Sequence, residues 1–162
     1  MSLGLTLFTL FHVALSLIGI GTGFVVIWDL LHSRRAPTLT AWFLATTVAT
    51  SVTGFGFPFE KFLPSHGLAI LSLILLAVAI VALYTKHLAG PWRWIYVVGA
   101  VAAQYFNVFV LVVQTFLKVP ALHELAPNQN EPPFAVTQLV VLVVFAILGA
   151  LAARRFHPQP GG

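Results

Sequence analysis

Residues 93–118 read RWIYVVGAVAAQYFNVFVLVVQTFLK, an uncharged run over 94–117 closed at each end by a basic residue. At 1.5 Å rise per residue, a helix of that length covers about 36 Å, enough for the roughly 30 Å hydrocarbon core of a bilayer. The pattern extends in both directions along the chain. All twelve Asp, Glu, Lys and Arg side chains fall between, or at the ends of, five uncharged runs: 1–28, 36–59, 62–85, 94–117 and 132–153. The sequence therefore predicts an all-α integral membrane protein, a single five-helix transmembrane bundle over residues 1–155. Its spans are expected near 5–31, 39–57, 66–85, 93–117 and 134–154, with an outer loop over 119–133 and a flexible tail over 156–162.

Composition excludes the soluble alternatives. A chain of 162 residues that is 59% hydrophobic and 7% charged, with a mean hydropathy of +0.98, lacks the polar surface that a soluble domain needs. No cysteine is present, which excludes disulfides, thiol redox chemistry, iron–sulfur clusters and thiolate metal sites. The formal charge of +4 has the sign that nucleic acid attracts, but the positive residues stand beside span ends and form no stripe, so no nucleic-acid partner is expected. Membrane lipids are the expected partners. Arg34, Arg35, Lys86, Arg93, Arg154 and Arg155 occupy one set of alternate connections, leaving Lys61 and Lys118 in the other. By the positive-inside rule the chain is oriented N-out and C-in, as a multi-pass protein of a bacterial inner membrane.

Polar groups inside the spans are the candidate functional residues, because hydrocarbon offers them no partner. At 100° per residue, His12, Ser16, Gly19 and Gly23 share one face of the first span, where glycines allow close helix approach. Gln104, Asn107 and Gln114 form a stripe on the fourth span, and Gln138 lies near the outer end of the fifth. His12, Gln104, Asn107, Gln114 and Gln138 are thus candidate ligand contacts in a pocket opening outward beneath the 119–133 loop. The alternative for the same amides is hydrogen bonding between helices. The threonines of the second span are inexpensive in a membrane, since each hydroxyl bonds a carbonyl four residues back. The third span has Ser72 as its only polar group between Gly67 and Leu83, which predicts the most lipid-exposed helix.

Orientation gathers several metal-ligating side chains on the outer side. His12, His66, Glu60 and His123 form a candidate divalent-metal set, since neutral imidazole and carboxylate suit such ions, although no metal-binding spacing links them. For haem, His12 and His66 are the one plausible axial pair. Cofactor identity stays open between haem, a divalent metal and none. The inner histidines His32, His87 and His157 sit beside Arg or Lys, where lipid phosphates are natural partners.

The run Ala45-Thr-Thr-Val-Ala-Thr-Ser-Val-Thr-Gly54, the turn Gly90-Pro-Trp-Arg-Trp-Ile-Tyr96 and the step Glu131-Pro-Pro-Phe134 carry a resemblance that covers the whole chain. It resembles an uncharacterised family of small bacterial multi-pass membrane proteins with no assigned activity. The stretch from Thr53-Gly54 through His66 to Leu83 also resembles a helix pair of haem-binding membrane cytochromes, whose second, inner histidine pair is missing here. With five-span benzodiazepine-receptor-like proteins the likeness is one of span count and topology. The function expected from these readings is that of a small membrane binding or accessory protein for a metal, haem, quinone or other small lipophile. The alternatives are a structural subunit of a larger membrane complex and a transporter acting as a homo-oligomer. No catalytic motif stands out, so an enzyme is the less favoured class.

Overall fold

The computed structural model describes residues 2–58, 61 and 64–158, and every regular element among them is helical. The long helices are α1 (Leu3–Leu31), α2 (Pro37–Gly54), α3 (Pro64–Ile80), α4 (Trp92–Lys118) and α6 (Pro132–Arg155), and a short helix, α5 (Pro120–Leu125), joins the last two. Four stretches are long and apolar enough to cross a membrane: Leu3–Leu31, His66–Thr85, Trp92–Lys118 and Pro132–Arg155. The protein is therefore a helical bundle of membrane-spanning character. The fifth long helix, α2, has 18 residues, among them six threonines and Ser51, and this polar content sets it apart from the other four.

Local chemistry accounts for the helix ends. Ser2 caps α1, its Oγ accepting from the Leu5 amide at 3.1 Å. Proline opens α2, α5 and α6, since its fixed φ suits the first turn and its missing N–H would be unpaired there anyway. The stretch 119–133 is accordingly more than a loop, because Pro120 starts the single turn and a half of α5 within it. At the far end of α3, Val81–Thr85 continue as a π-helical turn, in which the Lys86 amide donates to the Val81 carbonyl at 2.9 Å. The chain leaves it through positive φ at His87 and Leu88, 51° and 59°.

Helix α4 is the hub, packed against α1, α3, α5 and α6, while α2 lies between α1 and α3. It buries nine residues, including the small Gly99, Ala100 and Ala103, whereas the 24-residue α6 buries only Gln138, Phe145 and Ala152. Small side chains let neighbouring backbones approach, and in lipid it is this van der Waals packing, rather than expulsion of water, that holds helices together. The least buried of the long helices is consequently α6, not α3. Leu76, Ala79 and Ser72 of α3 are all buried, because the helix is wedged beside α2 and α4. A second correction concerns the tail. Phe156 is buried, its ring 6.1 Å from that of Tyr96, and the His157 amide donates to Ser33 Oγ at 2.8 Å. An aromatic residue beyond the last charge pair thus docks the chain back onto the bundle. Residues 159–162 lie outside the described residues.

Candidate functional site

The glycine face of α1 meets the threonine face of α2. A Cβ added at Gly19 would lie 3.1 Å from Thr47 Oγ1 and 3.3 Å from Thr46 Oγ1, so these backbones approach about as closely as they can. One turn further, the space above Gly23 is filled by the side chain of Gln104 from α4, and an added Cβ would collide with its amide. Gln104 is fully buried. Its Nε2 donates to the Ile20 carbonyl at 2.8 Å, and its Oε1 accepts from Asn107 Nδ2 at 3.2 Å. Asn107 Nδ2 also reaches Thr47 Oγ1 at 3.3 Å. The two amides thus tie α4 to α1 and α2 and satisfy one another, which is what groups buried in hydrocarbon require.

His12 sits one helix third from the N-terminus of α1, beside the end of α2. Its Nδ1 is 2.7 Å from Thr53 Oγ1, and its ring stands edge-on to Phe57 with centroids 5.1 Å apart. The Thr53 hydroxyl also lies 2.7 Å from the Ala49 carbonyl, so the imidazole and that carbonyl share one hydroxyl. Phe57 also meets Phe8, at 4.9 Å between centroids, so the turn after Gly54 folds back over the first turns of α1.

Gln114, Gln138 and His123 do not join this group. Gln114 is exposed: the stripe 104–107–114 drifts around α4, and only its first two members face α1 and α2. Gln138 packs on the other side of α4, with Nε2 donating to the Phe109 carbonyl at 3.2 Å. Its buried Oε1 has no hydrogen-bond partner. His66 is buried with its ring stacked 5.3 Å from Phe55, while His123 is exposed on α5. Glu60 lies outside the described residues. Among those described, no three His, Asp or Glu side chains come together as a metal site, because His12 is turned to Thr53 and His123 points outward. Gln104 and Asn107, expected as pocket contacts, spend their amides on α1 and α2 instead.

A cavity opens instead at the other end of the bundle. It holds about 350 Å³ between the ends of α1 and α3 and the starts of α2 and α4, with Phe156 closing one side. Val26, Leu30 and Leu83 make an apolar wall, and Tyr96 meets Thr40 across it. Its polar rim carries Asp29, Arg34, Arg35 and His87. Arg34 pairs with the largely covered Asp29 at 3.1 Å, whereas Arg35 is exposed and pairs with no carboxylate among the described residues. Close by, Arg93 Nη1 donates to the Ala153 and Phe156 carbonyls at 2.6 and 2.9 Å, and Lys86 lies 5.7 Å over the Trp92 ring. From the sequence the basic residues read as orientation signals and His87 as a neighbour of lipid phosphates. The clue to more was the clustering of two tyrosines, Tyr84 and Tyr96, with His87 at the basic ends of separate spans.

Compared with known proteins, the chain matches no family, no curated sequence and no solved structure.

Proposed function

We propose that this chain is a five-span protein of a bacterial inner membrane, N-out and C-in, that serves as a small binding or accessory protein for a lipophilic ligand. The observation that carries the binding role is the cavity of about 350 Å³ at the Arg34–Arg35 end, apolar within and polar at its rim. Its size and lining suit an amphiphile, since ligand sites are concave, mostly apolar and supplied with a few placed polar groups. The amide network at Gln104 belongs to packing rather than ligand binding, because its donors are spent on protein partners.

The contacts of α2 support five spans. The helix runs back along α1 from the connection at 32–36, placing Thr47 against Gly19, Thr53 against His12 and Phe57 against Phe8. A segment that follows a membrane helix over that distance must cross with it. Its polar content is no obstacle, as Thr46, Thr50 and Thr53 bond the carbonyls of Trp42, Thr46 and Ala49 at 2.6, 2.7 and 2.7 Å. The orientation draws support from the bundle end that brings Arg34, Arg35, Lys86, Arg93, Arg154 and Arg155 together. The family likeness carried by Ala45–Gly54, Gly90–Tyr96 and Glu131–Phe134 is compatible with this reading.

Native mass spectrometry of the full chain released from nanodiscs, together with displacement of a bound fluorescent acyl probe, tests the binding role. A retained lipophile that is lost in Ala41→Trp, a substitution on the cavity wall, is the expected result. Probe binding unaffected by Ala41→Trp would overturn it. A second reading, a structural subunit, is favoured by the shallow groove between α4 and α6, where Ala102, Ala146, Gly149 and Ala150 leave about 300 Å³ of space. Subunits copurifying in mild detergent and lost on Gly149→Leu would favour that role.

A further inference from the structure

Resting on the reading that the cavity takes a lipophile, we infer that its ligand is an anionic phospholipid of the surrounding leaflet. The phosphate lies at Arg35 and His87, and an acyl chain runs along Val26, Leu30 and Leu83. Charge complementarity selects this occupant. Asp29 and Arg34 neutralise each other, so Arg35 is left as the uncompensated charge on the rim, and guanidinium is the side chain best matched to phosphate oxygens. Basic pockets between helices at the cytoplasmic surface are where acidic headgroups bind. The wall inside that rim is mostly apolar, which suits a tail and gives inorganic phosphate no reason to prefer the site.

Two backbone features point to the same place. The π-helical turn Val81–Thr85 supplies Leu83 to the cavity wall and Tyr84 to its lining, and such turns recur at functional sites because the extra residue per turn re-aims side chains. His87 is held at a φ of 51°, a conformation unfavourable for a residue with a side chain, and it lines the rim. In addition, α2 starts at the cavity with Ala36 and Pro37, and no side chain caps its first amides. These free N–H groups add a weakly positive edge to a site already defined by Arg35.

The test uses full-length protein in nanodiscs, with phosphatidylglycerol, phosphatidylcholine and inorganic phosphate as competitors against a fluorescent phosphatidylglycerol. Phosphatidylglycerol is expected to compete about tenfold better than phosphatidylcholine. Arg35→Gln should abolish the preference and Arg35→Lys retain part of it, while Arg155→Gln, which removes the same charge outside the cavity, leaves it intact. Equal loss in Arg35→Gln and Arg155→Gln would reduce the effect to general surface charge and overturn the inference. So would displacement by inorganic phosphate alone, which would mark a free-phosphate site. Acyl-probe binding that is blocked by Ala41→Trp but indifferent to headgroup would sink the phospholipid assignment and leave the lipophile reading standing. No binding of any amphiphile would sink both.

Discussion

Gly23 and Gly21 lie two residues apart on α1, yet they differ completely in what a methyl group would meet. At Gly23 it collides with the Gln104 amide, while at Gly21 nothing lies within 4 Å. Gly23→Ala is therefore expected to destabilise the bundle by about 1–3 kcal/mol, since it expels Gln104 from the Ile20 carbonyl and leaves a buried amide unpaired. Gly21→Ala should be neutral or stabilising by up to about 1 kcal/mol, through helix propensity alone. Melting temperatures in a fixed detergent separate the two, and equal values would refute the packing described for α1 and α4. Gln138 makes the opposite case. It has one donor bond and a buried oxygen without a partner, so Gln138→Leu removes an uncompensated cost. Stability should be unchanged or raised by about 1 kcal/mol, whereas Gln104→Leu should lower it. A Gln138→Leu variant that melts clearly below the parent would mean that Oε1 has a partner in the membrane.

Elements are held in place here by contacts at their ends. The C-terminus of α6 is fixed by Arg93, whose guanidinium occupies the last carbonyls and orients Phe156. Arg93→Ala is expected to cost about 1.5–3 kcal/mol, as loss of a charged hydrogen-bond donor does, and to expose residues 156–158 to protease. Unchanged protection there would show that the aromatic contact with Tyr96 suffices. The loop before α6 is fixed by Glu131, outside the apolar stretch. Partial desolvation opposes ionisation of its carboxyl, but the Asn128 and Asn130 amides, donating at 3.0 Å each, outweigh it and hold the group below its ordinary 4.5. A carboxyl depressed in the folded state contributes stability above its unfolded value, and that contribution is lost as pH falls through the folded one. Protection from amide exchange across 128–131, taken relative to the intrinsic rate at each pH, should therefore fall below about pH 4.5, and Glu131→Gln should remove the dependence. A transition that persists in Glu131→Gln would assign it to another group.

At the scale of the molecule the basic residues are unevenly shared between the two ends, with six of the eight at one pole, Lys118 at the opposite end of α4 and Lys61 in the connection between α2 and α3. If that pole faces the cytoplasm, a green-fluorescent fusion placed after Arg155 should be bright and the matching alkaline-phosphatase fusion inactive. The reverse pair would invert the topology and place the Arg35 cavity on the periplasmic side. A phosphatase fusion in the 55–58 turn distinguishes five spans from four, since α2 must carry that turn to the opposite face from the 32–36 connection. Activity there, with none after Arg34, is the expected outcome.

The sequence by itself determined the helical class and the long apolar segments, because hydrophobicity and charge exclusion act on each segment independently of its neighbours. It also marked the polar residues that must find partners, but not which partners. A rotation of 100° per residue says which side chains share a helix face, yet not how far along that face the next helix reaches, and so Gln104 and Gln114 looked equivalent. Only tertiary structure decided that Gln104 fills the space left by Gly23, that His12 pairs with Thr53 and that no three metal-ligating side chains come together among the described residues. It alone placed Phe156 inside the bundle and opened the cavity beside Arg35, because a cavity belongs to the ends of several helices meeting at once.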